Sequence, residues 1–353
     1  NQVKNVLIIF FVFLFSFNVI SCSKKDSGSS STSTASDSTA SDNKTNVCSS
    51  SSISTRQLAR SSNDYAYGVA TDLSGNVYVA GGTNGGLDGN TNAGNTDLFV
   101  VKYSSSGTKQ WTKQFGSSSR DSANGVAPDS SGNVYVTGMT NGGLDGCKNA
   151  GIEDLFVVKY NSSGTKQWTN QLGSSSRDSA NDVATDSSGN IYVTGTTYWE
   201  LDGNTSAGKA DLFVVKYNSS GTWQWTKQNG TDRYDEARGV ATDSSGNVYV
   251  TGYTEGGLDG NTSAGRSDLF VVKYNSSGTK QWTNQLGTWD TDFANGVATD
   301  SSGNVYVTGS TYRSLDGNTS AGNADLFVVK YNSSGTKQWT KQLGSSRDDY
   351  ANG

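Results

Sequence analysis

The stretch Gly296–Tyr306, GVATDSSGNVY, decides the fold of this 353-residue chain. Its sequence returns every 57 residues, and the copies start at Gly68, Gly125, Asp182, Gly239, Gly296 and Gly353. Residues 68–352 are therefore five gapless copies, which span 68–124, 125–181, 182–238, 239–295 and 296–352. A period of this size is typical of a solenoid, a propeller or another array, and it argues against two unrelated domains.

One unit, 296–352, divides into four predicted β-strands and shows no helical periodicity. The predicted strands are GVATD (296–300), NVYVTG (304–309), LFVVKY (326–331) and TKQWTKQLG (336–344). Ser-Ser-Gly-Asn and Asn-Ser-Ser-Gly make tight turns after the first and third strands. Four antiparallel strands per unit, repeated radially, predict an all-β chain with the blades of a β-propeller.

The residues before the first full copy carry part of another blade. Thr55–Leu58 aligns, one period earlier, with the fourth-strand residues Thr112–Phe115. The repeat domain is therefore expected over residues 55–353, with a lone fourth strand at its start. Because propellers close by building one blade from both chain ends, we expect strands beyond Gly353 to complete the ring.

The repeat resembles the SBBP family of bacterial β-propeller repeats. The resemblance rests on Asp243–Tyr249 (DSSGNVY), Asp268–Tyr274 (DLFVVKY) and Gly278–Trp282 (GTKQW), with their equivalents over roughly residues 55–353. It implies a propeller on an exported, often surface-associated protein. It implies no reaction, because the family has no common catalytic site, and a propeller hosts both enzymes and binding modules.

Composition excludes several functions. The chain has 43 Gly, one Pro, three Cys and no His, so it cannot build a Ser/His/Asp or Cys/His pair or a His-ligated metal site. Its net charge of −5, with 27 Lys and Arg spread evenly, offers no basic stripe for nucleic acid.

The amino-terminal segment has the pattern of an export signal. Lys4 precedes the apolar run Val6–Phe15, which is shorter than the roughly 20 residues a spanning helix needs. Val19–Cys22, VISC, looks like a bacterial lipobox. We therefore predict a lipoprotein signal peptide over 1–21 and acylation of Cys22, in preference to an ordinary secretory signal or an uncleaved anchor helix. Acyl chains would tether the protein to the membrane, and we expect the outer membrane, with exposure on the cell surface as an open alternative.

Residues 22–54 contain the lipidated Cys22 and a Ser/Thr-rich tether that lacks the apolar residues needed for a core. Cys48 lies in this tether and Cys147 in a loop of one repeat. We interpret both as incidental thiols, with a Cys48–Cys147 disulfide as the alternative.

Several recurrent residues are interpreted as structural. The fourth-strand tryptophans, Trp111, Trp168, Trp225, Trp282 and Trp339, are expected to pack between blades rather than to stack on a ligand. The repeated Asp and Lys residues of DLFVVKY, such as Asp268 and Lys273, are expected to be polar ties within a blade.

The loop LDGNTSAG has part of the pattern of a calcium site. It presents oxygen-bearing side chains at alternate positions, beginning with Asp88, Asp202, Asp259 and Asp316. Calcium usually also needs a bidentate carboxylate late in the loop, but the twelfth position from Asp259 is Phe270. We therefore predict hydrogen-bonded turns and no cofactor, with calcium as the weaker alternative.

Differences between copies fall in two long segments, one between strands two and three and one leading into the next blade. In propeller topology both segments emerge on the same face, and function commonly lies on loops that a rigid scaffold displays. The candidate binding residues are Tyr198, Trp199, Tyr234, Tyr253, Trp289, Phe293, Tyr312 and Arg313.

These observations favour a lipid-anchored, monomeric propeller that binds an unidentified protein or glycan and catalyses no reaction. The alternatives are a polysaccharide hydrolase or lyase and a passive surface or spacer protein. Catalysis by carboxylates is disfavoured because nearly every Asp recurs in equivalent positions, whereas an active site needs different groups at one point.

Overall fold

The computed structural model describes residues 62–352. The predicted signal peptide, Cys22, the tether, Cys48 and the predicted strand at 55–58 lie outside the described residues. Within them, the chain forms five four-stranded antiparallel sheets, one for each repeat, and each sheet pairs its strands in chain order. The predicted all-β propeller fold is thereby confirmed.

We name the sheets blades 1 to 5. Blade 1 contains β1 (Asp64–Thr71), β2 (Val77–Thr83), β3 (Asp97–Tyr103) and β4 (Lys109–Phe115). Blade 2 contains β5 (Asp121–Pro128), β6 (Val134–Thr140), β7 (Asp154–Tyr160) and β8 (Lys166–Leu172). Blade 3 contains β9 (Asp178–Thr185), β10 (Ile191–Thr197), β11 (Asp211–Tyr217) and β12 (Trp223–Asn229). Blade 4 contains β13 (Asp235–Thr242), β14 (Val248–Thr254), β15 (Asp268–Tyr274) and β16 (Lys280–Leu286). Blade 5 contains β17 (Asp292–Thr299), β18 (Val305–Thr311), β19 (Asp325–Tyr331) and β20 (Lys337–Leu343). Short 3₁₀ turns lie at Leu258–Gly260 and Leu315–Gly317.

The tight turn after the first strand explains the motif DSSGNVY. In blade 4, Asp243 Oδ1 accepts hydrogen bonds from the backbone N–H groups of Ser245 and Asn247, both at 2.9 Å. Its Oδ2 accepts the Asn247 amide at 2.8 Å and the Tyr249 hydroxyl at 2.9 Å. Burial disfavours the charged carboxylate, but these hydrogen bonds outweigh it and hold the pKa of Asp243 below its ordinary value. One aspartate thus fixes both the turn and the buried tyrosine of the second strand.

A β-bulge interrupts the pairing of strands one and two at the same point in every blade. In blade 2, Ala123 pairs with Gly138 and Gly125 with Thr137, so Asn124 is left without a pairing partner. A Cβ at Gly138 would overlap the Ser122 carbonyl oxygen, which explains the glycine of the VYVTG pattern. Because a bulge re-aims its extra residue, this position breaks the alternation of side chains along the first strand of each blade.

The hydrophobic core lies between successive blades. One cluster joins Tyr78, Leu98 and Val100 of blade 1 to Val136 and Phe156 of blade 2. Equivalent clusters join blades 2 and 3, blades 3 and 4, and blades 4 and 5. Each blade therefore depends on its neighbours to bury its apolar faces, as expected for a repeat protein.

Candidate functional site: the loop face and the central cavity

The two variable segments lie on one face, as the sequence predicts. The backbone N–H of Asp235, which begins β13, donates to the carbonyl of Ala210 in the long segment before β11 at 2.9 Å. Glu255, just after β14, donates to the Tyr234 carbonyl at 2.9 Å. These contacts hold the segment between strands two and three of one blade against the connection into the next blade. We call this surface the loop face.

Two predicted residues of blade 3 lie on the loop face. Trp199 is 55% exposed, and Tyr198 contacts Tyr234 edge-on with 6.5 Å between ring centroids. The Trp199 carbonyl accepts the Thr197 hydroxyl at 2.9 Å, as the Gly85 carbonyl accepts that of Thr83 at 3.0 Å. The loop therefore keeps the hydrogen bond from the threonine hydroxyl to this carbonyl while it carries a large indole in place of glycine.

A second exposed indole lies at the junction of blades 4 and 5. Trp289 is 64% exposed, and the Arg313 guanidinium lies 4.3 Å from its ring centroid. Arg313 also forms an ion pair of 2.8 Å with Asp290. The junction therefore combines a cation, a carboxylate and an aromatic face that none of the other copies has together.

Tyr253 and Phe293 lie in strands, so the prediction from the sequence that they belong to the variable loops is wrong. Tyr253 belongs to β14 and Phe293 to β17, and their rings meet at 4.7 Å. The Arg238 guanidinium lies 4.9 Å from the Tyr253 ring and 4.8 Å from the Phe293 ring, and Arg238 pairs with Glu236 at 2.9 Å. The strands extend further toward the loop face than the apolar pattern of the sequence indicates, because pairing continues past the bulge. The two rings therefore lie at the ends of paired strands, where they cover the junction of blades 4 and 5.

Tyr312 and Arg313 follow β18 directly. The Tyr312 hydroxyl lies 3.3 Å from that of Tyr350, which is about half exposed. This hydrogen bond raises the pKa of Tyr350 to about 12. The pair joins blade 5 to the residues that follow it.

The structure adds a central cavity that the sequence analysis did not identify. It has a volume of about 450 Å³, and residues of all five first strands line it. The bulged residues Tyr67, Asn124, Asn181, Arg238 and Asn295 contribute to its wall. The bulged asparagines also bridge blades, since the Asn124 amide donates to the Ala180 carbonyl and the Asn181 amide to that of Ala237, both at 2.8 Å.

Two lining residues depart from the repeat, namely Asp182, where the other copies have glycine, and Arg238, where the other four copies have asparagine. Asp182 accepts hydrogen bonds from the backbone N–H groups of Val183 at 2.8 Å and Val240 at 2.9 Å. Burial nevertheless raises its pKa to about 6. The departure of Asp182 and Arg238 from the repeat is visible in the sequence and could have pointed to the cavity. Only the structure shows that both residues line the same cavity.

The carboxylates of Asp88, Asp259 and Asp316 in the LDGN loops engage the fourth strand of their own blade. Asp259 adopts a left-handed conformation, φ 54°, and its carboxylate pairs with Lys280 and accepts from the Thr283 hydroxyl. Burial opposes its charge, but these hydrogen bonds outweigh burial and hold its pKa below the ordinary value. In blade 3, Trp223 occupies the place of this lysine beside the Asp202 loop. Among residues 62–352, no three acidic, Cys or His side chains are placed to hold a metal ion.

Four of the five repeated tryptophans, Trp111, Trp168, Trp225 and Trp282, pack against the next blade, as predicted, whereas Trp339 has no described blade beyond it. Trp282 of blade 4 lies 6.0 Å from Tyr249 of its own blade and 6.4 Å from Tyr331 of blade 5. Its indole N–H donates to the Ser333 carbonyl of blade 5 at 3.4 Å.

The predicted Asp–Lys ties within a blade are only half correct. Asp268 accepts within its blade from Gln285 at 2.7 Å, whereas Lys273 donates to the Ser333 carbonyl of the next blade at 2.9 Å. The lysine is long enough to cross the junction over the Tyr249 ring, at 5.1 Å from its centroid.

Cys147 lies in the segment between β6 and β7, as predicted, and it is a partly buried free thiol in the described part of the chain. Over the same residues, no helix is long and apolar enough to cross a membrane.

Comparison with known protein families identifies the repeat. The SBBP β-propeller repeat matches five times, at residues 55–88, 110–145, 167–198, 224–259 and 281–315. The chain belongs to this family of β-propeller repeat proteins, and the predicted resemblance is confirmed.

Two curated relatives align with long parts of the chain. The regulatory protein FlaEY of Caulobacter vibrioides is 26% identical over 337 residues, which are 84% of this chain and 35% of that protein. An uncharacterised WD repeat-containing protein of Acanthamoeba polyphaga mimivirus is 26% identical over 246 residues, which are 54% of this chain and 18% of that protein. The chain thus spans about a fifth to a third of the length of these relatives.

Solved structures with a similar arrangement include a Bacteroides caccae protein of unknown function and a Xanthomonas campestris gluconolactonase. The first has a TM-score of 0.41 and 11% identity, with 79% of this chain and 82% of that chain covered. The second has a TM-score of 0.38 and 14% identity, with 68% and 70% covered. Likenesses this distant carry no argument about activity.

Proposed function

We propose that this chain is a binding module that recognises a protein or glycan partner through its loop face, without catalysis. The observation that carries the proposal is the display of Trp199 and Trp289, each more than half exposed, at positions that are Gly or Arg and Ser or Asp in the other copies. Exposed indoles cost solvation free energy unless a partner covers them, and Trp, Tyr and Arg are enriched at binding hot spots. A rigid ring of near-identical blades is suited to hold such side chains in fixed positions.

The acidic groups favour binding over catalysis. Two copy-specific carboxylates already have structural partners, since Glu236 pairs with Arg238 and Asp182 accepts hydrogen bonds from two backbone N–H groups. The LDGN carboxylates Asp88, Asp259 and Asp316 pair with lysine, so a calcium ion there would have to displace that cation. We therefore propose a module without a cofactor.

We further propose that Cys22 anchors the mature protein to the outer membrane through acyl chains. The lipobox-like VISC and the polar segment that follows it support this proposal. Metabolic labelling with a palmitate analogue tests it: label should enter the parent and be lost in Cys22→Ala. Label retained in the variant would contradict the anchor.

The binding proposal is tested by screening the purified chain against arrays of extracellular matrix proteins and of glycans. The variants are Trp199→Gly and Trp289→Ser, which restore residues found in other copies. Loss of a hot-spot indole should weaken binding at least about tenfold, which corresponds to about 1.4 kcal/mol.

Trp223→Lys is the matched control, because Trp223 is also an exposed, copy-specific indole but lies on the outer strand β12. It should bind like the parent. The loop face is not the site if both loop-face variants retain parental affinity, or if Trp223→Lys loses as much as they do.

A further inference from the structure

In four blades, the aspartate of the LDG loop binds the ammonium group of a lysine on the outer strand of the same blade. The aspartate has a left-handed conformation in all five blades, with φ between 51° and 54°. The four ion pairs are Asp88 with Lys109, Asp145 with Lys166, Asp259 with Lys280 and Asp316 with Lys337. The loop is therefore a repeated acceptor for an alkylammonium group, and the lysine is its internal ligand.

Blade 3 keeps this acceptor and lacks the lysine. Asp202 has the same backbone conformation, with φ 53°, but the lysine position of the outer strand is Trp223. The strand register is unchanged, since Tyr217 pairs with Trp223 as Tyr274 pairs with Lys280. Within residues 62–352, no lysine or arginine forms an ion pair with Asp202, which is exposed. The carboxylate that binds a lysine in the other blades is thus accessible from solvent in blade 3.

Trp223 places an aromatic ring beside this loop. Its indole N–H donates to the Thr226 hydroxyl at 3.0 Å, and the ring is 50% exposed. The equivalent threonine of blade 4, Thr283, donates to the Asp259 carboxylate. The indole is therefore fixed at the threonine that contacts the aspartate in the equivalent loop, and half of its surface remains open.

Blade 2 shows how a carboxylate and an aromatic ring hold an ammonium group together at this position. Lys166 pairs with Asp145, and its ammonium nitrogen lies 3.7 Å from the centroid of the Phe115 ring. Attraction of a cation to the face of an aromatic ring adds to the attraction of the carboxylate, and tryptophan is the strongest of the aromatic side chains in this role. Blade 3 has the carboxylate and the ring, but its own sequence supplies no ammonium group.

The local charge of blade 3 also favours a cation. Trp223 removes the positive charge of the lysine, and Glu200 adds a negative charge where the other copies have Gly or Ser. The two positions together carry a charge of +1 in the other copies and −1 in blade 3. A surface of this sign attracts cations.

We propose that Asp202 and Trp223 form a binding site for a primary alkylammonium group, carried by a free amine or by a lysine side chain. We call this pair the rim site. The Asp202 carboxylate accepts the N–H groups of the ammonium, and the indole face contacts its alkyl chain and charge. The rim site is separate from the loop face, because it contains neither Trp199 nor Trp289. Either site can therefore fail its test without affecting the other.

The test titrates the ¹⁵N-labelled chain with butylammonium chloride and follows two resonances by NMR, the Gly203 backbone N–H and the Trp223 indole N–H. Both should shift and saturate with one dissociation constant. Butanol has a similar apolar chain without the charge and should give no saturable shift. Equal saturation by butanol would mean that the indole binds apolar chains, and this would overturn the proposal. Absence of a saturable shift with butylammonium would overturn it as well.

Three variants locate the binding on the rim site. Asp202→Asn removes the charge, and asparagine tolerates the left-handed backbone, so the dissociation constant should rise at least about fivefold. Asp259→Asn makes the same change where Lys280 already occupies the carboxylate, and it should leave the dissociation constant at the parental value. Trp223→Lys restores the internal ammonium and should abolish the shift at Gly203. Unchanged resonances of the other blades show that each variant is folded. Parental affinity in Asp202→Asn or in Trp223→Lys would overturn the proposal.

A pair of peptides distinguishes the two sources of the ammonium group. Acetyl-Gly-Lys-Gly-amide presents a lysine side chain with its backbone, and the same peptide with an acetylated lysine lacks the charge. A lysine peptide that binds more tightly than butylammonium assigns the rim site to a protein partner, and one that binds no more tightly assigns it to free amines. If the acetylated peptide binds as tightly as the lysine peptide, the ammonium group is not what the site recognises and the proposal is wrong.

Discussion

Trp282 and Trp339 provide a matched test of what a neighbouring blade contributes. They occupy the same position of the repeat within the same QWT sequence, but only Trp282 has a described blade beyond it. Trp282 lies between Tyr249 and Tyr331 and against Gly335, whereas Trp339 keeps only the equivalent of the first contact, with Tyr306 at 6.2 Å. Truncation to alanine should therefore cost different amounts at two chemically identical sites.

The magnitudes follow from burial. Truncation of a fully buried aromatic residue costs about 3–5 kcal/mol of unfolding free energy. Trp282 is partly buried, so Trp282→Ala should cost about 2 kcal/mol, including the contact with Tyr331. Trp339→Ala loses one ring contact and little buried area, so we expect a cost of about 1 kcal/mol or less.

Urea unfolding followed by far-UV circular dichroism measures both costs, and coincident fluorescence transitions would justify two-state treatment. Gln281→Ala and Gln338→Ala, on exposed neighbouring positions, control for a general weakness of either blade. If the two tryptophan variants lose equal stability within about 0.5 kcal/mol, the tryptophans do not act through the next blade and the reasoning fails.

Three further predictions concern the cavity, the LDGN loops and the bulge. The pKa of Asp182 is raised to about 6, so the folded chain binds more protons than the unfolded chain between about pH 4 and 6, and stability falls as pH rises through this window. Asp182→Gly restores the residue of the other copies and should make the melting temperature fall less between pH 4.5 and 7. A pKa raised by two units sets an upper limit of about 3 kcal/mol on the change in unfolding free energy that Asp182 causes, and its partial exposure lowers this limit. An unchanged pH profile would contradict this. Removal of calcium with a chelator should leave the melting temperature unchanged, and a large calcium-dependent shift would instead identify a cation site. Asp259→Ala should cost less than about 1 kcal/mol of unfolding free energy, because the pair with Lys280 is partly exposed. Gly252→Ala should lower the melting temperature strongly, since its Cβ would overlap the Glu236 carbonyl oxygen. Gly260→Ala has open space around the new Cβ and should lower the melting temperature less, through the strain of a positive φ alone. Equal losses would contradict the bulge argument.

The repeat period and the strand pattern predict the fold because both depend on local chemistry. The third predicted strand, 326–331, matches β19, Asp325–Tyr331, since a run of apolar residues bounded by turns leaves little choice of ends. The first predicted strand, 296–300, misses four residues at the start of β17, Asp292–Thr299. The bulge between Ala294 and Gly296 breaks the alternation of side chains, so the pairing beyond it leaves no period-two pattern to read.

The candidate site is less predictable because it depends on which blades meet. Sequence variation locates the loop face, but it does not show that Tyr253 meets Phe293 or that Arg313 covers Trp289, because these contacts join different copies. The cavity is hidden for the same reason. Asp182 and Arg238 are 56 residues apart and are brought to one space only by the curvature of the ring.

The copy-specific residues differ from the repeat in groups that contact each other. Each group joins a segment after the second strand of one blade to the start of the next, such as Tyr198 with Tyr234 and Arg313 with Trp289. Packing at a junction is therefore sufficient to account for these aromatic residues. Trp199 differs, because its ring enters no aromatic pair or cation contact within residues 62–352 while it replaces a glycine of three other copies.

Trp199 is consequently the most discriminating position on the loop face. Trp289→Ser changes both a possible partner contact and the packing of Arg313, so a loss of binding there has two explanations. Trp199→Gly removes an exposed ring from a loop in which the same threonine hydroxyl donates to the same carbonyl in a copy that has glycine. If Trp199→Gly keeps the parental melting temperature and loses the partner, recognition is the only remaining role for this side chain. If it keeps both, the indole has no role in recognition, and the argument from exposed aromatic residues on the loop face then rests on Trp289 alone.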